Sequence, residues 1–92
     1  MENQVNFTAH AQARLQQRGI KKEIIDFILM EADQDKPAGR GCRSLFVSKR
    51  KLDKLVKNNE LVPKFAQRVS GVVIVEAEDE IVTIYHKSKR LH

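Results

Sequence analysis

The residues of this chain best suited to chemistry stand near its start, where His10, Arg14 and Arg18 recur at every fourth position. If the segment is helical, each step of four advances the side chain by about 40°, so the three groups span about 80° of one helix face. Like charges stacked in this way repel one another, and a helix that only had to fold would alternate their signs. The stripe therefore suggests an anionic ligand, with phosphate as the leading candidate.

A second histidine, His86, ends the last apolar segment just before Lys89 and Arg90. Imidazole exchanges protons near neutral pH, and two such groups beside phosphate-binding cations suffice for RNA cleavage without a metal or bound cofactor. One takes the proton of the 2′-hydroxyl, the other protonates the leaving oxygen, and Arg or Lys stabilises the charge on phosphorus. This prediction requires His10 and His86 to meet. The alternative is that His10 packs near its helix start and that His86 is an ordinary strand-end residue.

The net charge of +5 is concentrated in the middle of the chain. Residues 36–57 contain one acid, Asp53, against eight basic residues: Lys36, Arg40, Arg43, Lys49, Arg50, Lys51, Lys54 and Lys57. A segment this one-sided creates a positive field that attracts nucleic acid. The alternative is a solvated surface that keeps a small protein in solution.

Individual cations of these segments are candidates for phosphate contact. Lys49 and Arg50 fall at the start of a predicted helix, where positive charge is locally unfavourable, and Arg43 lies on the strand before it. Arg14 and Arg18 have a structural alternative, because each can lay its stem over the helix and reach nearby carbonyls or carboxylates.

Length and composition indicate one domain, residues 1–92, with a real but thin core. Aromatic residues make up 5% of the chain and Trp is absent, which argues against a large stacking platform for bases. The single Cys42 cannot form an internal disulfide, and no Cys/His set has zinc spacing. The polar start lacks the apolar core of a secretion signal, and no apolar run approaches a membrane span. We therefore expect a cytoplasmic protein.

Local signals predict four helices. Thr8 caps a helix over 9–18 that Gly19 ends, and a second helix over 21–32 follows at once, so the two form a hairpin. Ser48 caps a third helix that ends at residues 58–59, and Pro63 opens a short fourth one.

Strand signals are strongest in the last third of the chain. Residues 72–75 and 81–85 flank an acidic turn at 78–79, which lacks the Gly of a tight hairpin and therefore predicts a longer loop. Residues 43–47 form a further strand, and residues 33–41 are expected to be a loop. The predicted fold is α+β, with an N-terminal helical hairpin packed on an antiparallel sheet of about three strands.

Three stretches carry a resemblance to known proteins. They are Phe7-Thr8-x-His10-Ala11-x-x-Arg14-x-x-x-Arg18-Gly19-Ile20, then Phe46-Val47-Ser48-Lys49-Arg50, and Ile81-Val82-Thr83-Ile84-Tyr85-His86-Lys87-x-Lys89-Arg90. Together they resemble a family of small bacterial proteins of unknown function and, more remotely, toxin ribonucleases of the RelE and BrnT type. The resemblance implies an α+β fold, metal-free RNA cleavage and a neutralising antitoxin. It also implies site residues on the sheet, here Arg43, Lys49, Tyr85 and His86.

Three functions follow from these patterns. The first is a ribonuclease-like toxin that uses His10, Tyr85 and His86 with the surrounding cations. The second is a non-catalytic nucleic-acid-binding module that contacts phosphates through residues 36–57. The third is a small interaction protein, dimeric through its apolar strands, whose basic surface meets an acidic partner protein.

Overall fold

The computed structural model describes residues 6–87, in which four helices pack on a five-stranded sheet. Along the chain the elements are β1 (Asn6–Phe7), α1 (Ala9–Arg18), α2 (Lys22–Glu31), β2 (Gln34–Pro37), β3 (Arg43–Phe46), α3 (Lys49–Lys57), α4 (Pro63–Val69), β4 (Val72–Ala77) and β5 (Glu80–His86). The α+β class is thus confirmed. Within residues 6–87, no helix is long and apolar enough to cross a membrane.

The sheet is larger than predicted and is mixed rather than purely antiparallel. Its strand order is β1-β5-β4-β3-β2, and the last four strands pair antiparallel. The two-residue β1 runs parallel to the start of β5, with Phe7 opposite Ile81. β2 forms within the segment predicted as a loop, where its polar residues give no apolar alternation. Neither edge strand carries a local signal of its own.

Helix boundaries follow the capping residues closely. The Thr8 hydroxyl accepts a hydrogen bond from the Ala11 N–H at 3.1 Å, and Gly19 ends α1 in the left-handed region at φ 64°. The Ser48 hydroxyl accepts from the Lys51 N–H at 3.2 Å, and Pro63 occupies the first turn of α4. Each cap satisfies backbone groups that the helix itself leaves unpaired, which is why these boundaries were predictable.

One face of the sheet, the helix face, carries the core. The ladder Leu45–Ile74–Ile84 crosses its centre and is buried against residues of all four helices, among them Ile25 and Ile28. A β-bulge between β4 and β5 adds one residue to β5, so that Ile81 and Ile84 both reach this face despite their odd spacing. Most of the apolar burial that stabilises the fold is therefore on the helix face, although Val73 is also buried on the other side.

The opposite side, the outer face, has two rows of residues across the strands. They are Gln34, Phe46, Val73 and Tyr85 in one row and Lys36, Ser44, Val75 and Thr83 in the next. None of the eight belongs to the helix-packed core. Tyr85 is 38% exposed.

The two N-terminal helices do not form the predicted hairpin unit. α1 packs mainly on β1 and β5, whereas α2 packs mainly on β3 and α4. The short joint after Gly19 lets each helix bury its own stripe on a different part of the sheet, since burial of apolar area outweighs contact between the two helices.

The turn between β4 and β5 is also shorter than predicted. Glu78 and Asp79 both adopt positive φ, at 49° and 67°, and Ala77 pairs directly with Glu80. Positive φ at both central residues is the geometry of a type I′ turn, which fits the twist of a hairpin. The expectation of a longer loop was wrong because strand pairing outweighs the cost of two non-glycine residues in this region.

Candidate functional site

A basic hollow of about 330 Å³ lies where α1, α2, α4 and β5 end or begin. Its polar lining consists of Arg18, Lys21, Arg68 and His86, with Gln67 beside them, and its apolar part is Ile20 and Ile24 next to Gly19. We call this set the basic hollow. It gathers three cations and one imidazole from three segments that are far apart in the sequence.

The fold explains how each group reaches the hollow. Arg18 is the last residue of α1, and the Gly19 joint then delivers Lys21 at the start of α2. Arg68 lies in the last turn of α4. His86 ends β5 opposite Val72, on the helix face, as strand alternation from Ile84 predicts.

The electrostatics of the hollow favour an anion. No carboxylate is among the residues found to line it. Arg18 and Arg68 sit in the last turns of their helices, where the helix dipole offsets part of their repulsion. Lys21 is the N-cap residue of α2 and makes no side-chain capping bond, and the Ile24 N–H donates to the Lys21 carbonyl at 3.0 Å.

His10 does not join this site. It lies in the first turn of α1, whose start is fixed to β5 by hydrogen bonds from Thr8 to the carbonyls of Ile81 and Val82. The rise of a helix separates positions 10 and 18 by about 12 Å. The structure therefore brings His86 together with Arg18 but leaves His10, which is exposed, at the opposite end of the helix.

The stripe proposed for α1 thus divides into three different environments. His10 is exposed, Arg14 is half-buried, and Arg18 lines the basic hollow. The Nε atom of Arg14 is buried without a hydrogen-bond partner among residues 6–87. Arg14 is therefore more a part of the packing than a surface cation.

Arg43 is engaged within the protein at the other end of the sheet. Its guanidinium forms a two-point ion pair with Asp35, with Nε 3.0 Å from Oδ1, and lies 3.9 Å from Glu76. The hydrogen bond from Arg43 lowers the pKa of Asp35, and the same bond raises the pKa of Arg43. The predicted phosphate contact at Arg43 competes with two carboxylates.

Other cations of the central segment are also paired. Lys49 lies 3.7 Å from Asp53, and Lys51 lies 3.0 Å from Glu31. Arg50 is exposed on α3 and lines a separate cleft on that helix. Ion pairs with nearby carboxylates thus neutralise part of the positive charge of residues 36–57. The other two predicted phosphate-binding residues, Lys89 and Arg90, lie outside the described residues.

A polar cluster at the start of α3 has a structural role. The Asp33 carboxylate accepts hydrogen bonds from the Ser48 N–H at 2.7 Å and from the Ser48 hydroxyl at 2.6 Å. Partial burial raises the pKa of Asp33, but the two bonds from Ser48 outweigh it and the net pKa is lowered. The cluster joins Asp33, two residues beyond the end of α2, to the cap of α3.

Sequence reasoning missed two members of the hollow, Lys21 and Arg68. Neither belongs to a motif, and only the packing of α2 and α4 brings them beside His86. Tyr85, the remaining predicted site residue, lies on the outer face and therefore points away from the hollow. In the described part of the chain, no group of three or more His, Cys, Asp or Glu side chains is placed to hold a metal ion.

Comparison with protein-family models, with curated proteins and with solved structures finds no match to this chain. The basic hollow and the outer face are therefore interpreted from their own geometry and charge.

Proposed function

We propose that this protein binds RNA, with a backbone phosphate in the basic hollow, and that it cleaves RNA there without a metal. The observation that supports the proposal is that Arg18, Lys21, Arg68 and His86 line one hollow, with no carboxylate among the residues that line it. A phosphate group matches this arrangement, because it accepts several charge-assisted hydrogen bonds at once.

The chemistry rests on His86 in this proposal. The imidazole accepts the proton of a 2′-hydroxyl as that oxygen attacks phosphorus, and the bond from phosphorus to the 5′-oxygen breaks. Arg18 and Arg68 stabilise the additional negative charge, and water protonates the leaving oxygen. His10, at the far end of α1, has no part in this scheme.

Binding is tested with a fluorescently labelled single-stranded oligoribonucleotide, by anisotropy at several salt concentrations. We expect affinity to fall steeply with salt, and the variant Arg18→Ala/Arg68→Ala to bind about 100-fold more weakly, at about tenfold for each lost contact with a phosphate. The matched control is Lys22→Ala/Lys64→Ala. It also removes two exposed positive charges, one from α2 and one from α4, but neither residue lines the hollow. Equal loss in both variants would contradict the proposal.

Cleavage is tested on the same oligonucleotide in the presence of EDTA. We expect His86→Ala to lose cleavage while keeping its affinity within a fewfold, and His10→Ala to retain both. Cleavage that survives His86→Ala, or that depends on His10 instead, would remove the assigned role of His86.

A toxin of RelE or BrnT type is the specific form of this proposal, with an acidic antitoxin as partner and the cytoplasm as its site of action. It predicts that expression arrests bacterial growth and that His86→Ala relieves the arrest at unchanged fold stability. Normal growth at high levels of the wild-type protein would exclude the toxin. Salt-dependent RNA binding without cleavage would favour the second candidate, a binding module, which the same hollow supports.

A further inference from the structure

The outer face presents one exposed aromatic ring beside positive charge. Lys87 follows β5, and its Nζ atom lies 4.6 Å from the centre of the Phe46 ring, which is a cation–π contact. Tyr85 lies two positions earlier on the same strand, across Val73 from Phe46. The two rows of the outer face contain Lys36 and no acidic residue, and Glu80 lies in the next row, at the hairpin end and away from Tyr85. This charge balance suits a polyanion with flat groups that can stack.

The outer face and the basic hollow meet at the end of β5. His86 lines the hollow on the helix face, while its neighbours Tyr85 and Lys87 belong to the outer face. Tyr85 and His86 are consecutive residues whose side chains leave opposite faces of β5, so a ligand that contacts both must pass around this end of the strand. β1 pairs only with Glu80 and Ile81, so among the described residues no strand covers the edge of β5 beyond that point.

We propose that the RNA ligand is single-stranded and wraps around this end of β5. One phosphate lies in the basic hollow, the adjacent base stacks on the Tyr85 ring, and the next phosphate lies near Lys87. A duplex cannot follow this path, because its stacked and paired bases are closed to an aromatic side chain. This inference rests on the proposed function and adds its substrate class.

The chain supplies its own probe for the stacking contact. Tyr85 is the single tyrosine and Trp is absent, so the intrinsic fluorescence above 300 nm reports on Tyr85 alone. We expect a single-stranded octaribonucleotide to quench this emission, after correction for absorbance with free tyrosine amide. The same sequence annealed to its complement leaves the emission unchanged.

Variants at position 85 separate the ring from its hydroxyl. We expect Tyr85→Leu to weaken single-strand binding by about tenfold, and Tyr85→Phe to bind within twofold of wild type, because stacking needs only the ring. Thr83→Val, on the same face of β5, is the matched control and binds as wild type does. Far-UV circular dichroism and thermal unfolding verify that each variant is folded.

The outcomes distinguish this inference from the proposed function. If the wild type binds RNA through Arg18 and Arg68 but binds duplex equally well, or if Tyr85→Leu has no effect, the wrapped single strand is wrong and the phosphate site stands. A loss in Tyr85→Phe as large as in Tyr85→Leu also overturns it, since the hydroxyl would then make the contact. If the wild type binds no RNA, the proposed function itself fails.

Discussion

Positively charged side chains near the two ends of β5 have different surroundings. At the hairpin end, Arg43 is held between Asp35 and Glu76, beside a turn that consists of two acids. At the other end, Arg18, Lys21, Arg68 and His86 line one hollow, and no carboxylate is among its lining residues. A cation inside an ion pair has much of its attraction for a ligand already satisfied. Charge is therefore informative about function only after its partners in space are known.

The comparison is tested most directly by removing one arginine from each end. Arg18→Ala should weaken RNA binding by about tenfold, because it removes one charge-assisted contact with phosphate. Arg43→Ala removes the same charge and should leave the affinity within twofold, while it lowers the urea midpoint of unfolding. Both quantities are measured on the same preparations, by anisotropy and by circular dichroism. Equal effects on affinity would show that net charge alone attracts RNA.

A substitution in the turn between β4 and β5 should stabilise the protein without changing the basic hollow. Replacing Glu78-Asp79 by Asn-Gly supplies residues that accept positive φ, and should raise the free energy of unfolding by about 1 kcal/mol. The two lost charges and His86 lie at opposite ends of β5, farther apart than a Debye length of about 10 Å. RNA affinity should therefore change by less than twofold at physiological salt. Thermal unfolding and anisotropy measure the two effects. A lower stability would contradict the type I′ assignment.

A third variant tests a part of the fold that belongs to neither end. Ser48→Ala removes the cap of α3 and its bond to Asp33, and should cost about 1 kcal/mol of unfolding free energy. Ser44→Ala, on the outer face, serves as the comparison and should stay within about 0.5 kcal/mol of wild type. Urea titrations give both values. We expect neither variant to change the affinity for RNA.

The smallest predicted effect is the loss of thermal stability at acidic pH. Because the pKa of Asp33 is lower in the folded protein than its ordinary value of 3.8, the ionised carboxylate stabilises the fold above that pH. This stabilisation is lost as the pH falls through the lowered value. The wild type should therefore exceed Asp33→Asn in thermal stability near neutral pH, and the gap should narrow as the pH falls below 3.8. A gap that stays constant with pH would show that the charge of Asp33 is not involved.

Local chemistry made most of the fold predictable. Thr8, Gly19, Ser48 and Pro63 mark helix ends through hydrogen bonds and dihedral angles that depend on a few neighbouring residues. The edge strands β1 and β2 escaped prediction because their pairing partners, not their own sequences, make them strands. The packing of α1 and α2 was likewise set by the sheet beneath them.

The candidate site was predictable only in part, for the same reason. Arg18 and His86 were identified from residue type and position, and the structure places both in one hollow. Lys21 and Arg68 carry no signal, since their role depends on where α2 and α4 come to lie. The prediction for His10 failed for a different reason. His10 and Arg18 share one face of α1, but they lie at opposite ends of the helix, so only Arg18 lines the hollow.

The position of β5 inside the sheet has a consequence for the protein during its synthesis. Among the elements of residues 6–87 this strand is made last, yet it lies between β1 and β4 and supplies His86. Its long-range pairings cannot form on a growing chain until the strand has left the ribosome exit tunnel. A nascent chain therefore has no assembled basic hollow until β5 has emerged from the tunnel and paired with β1 and β4.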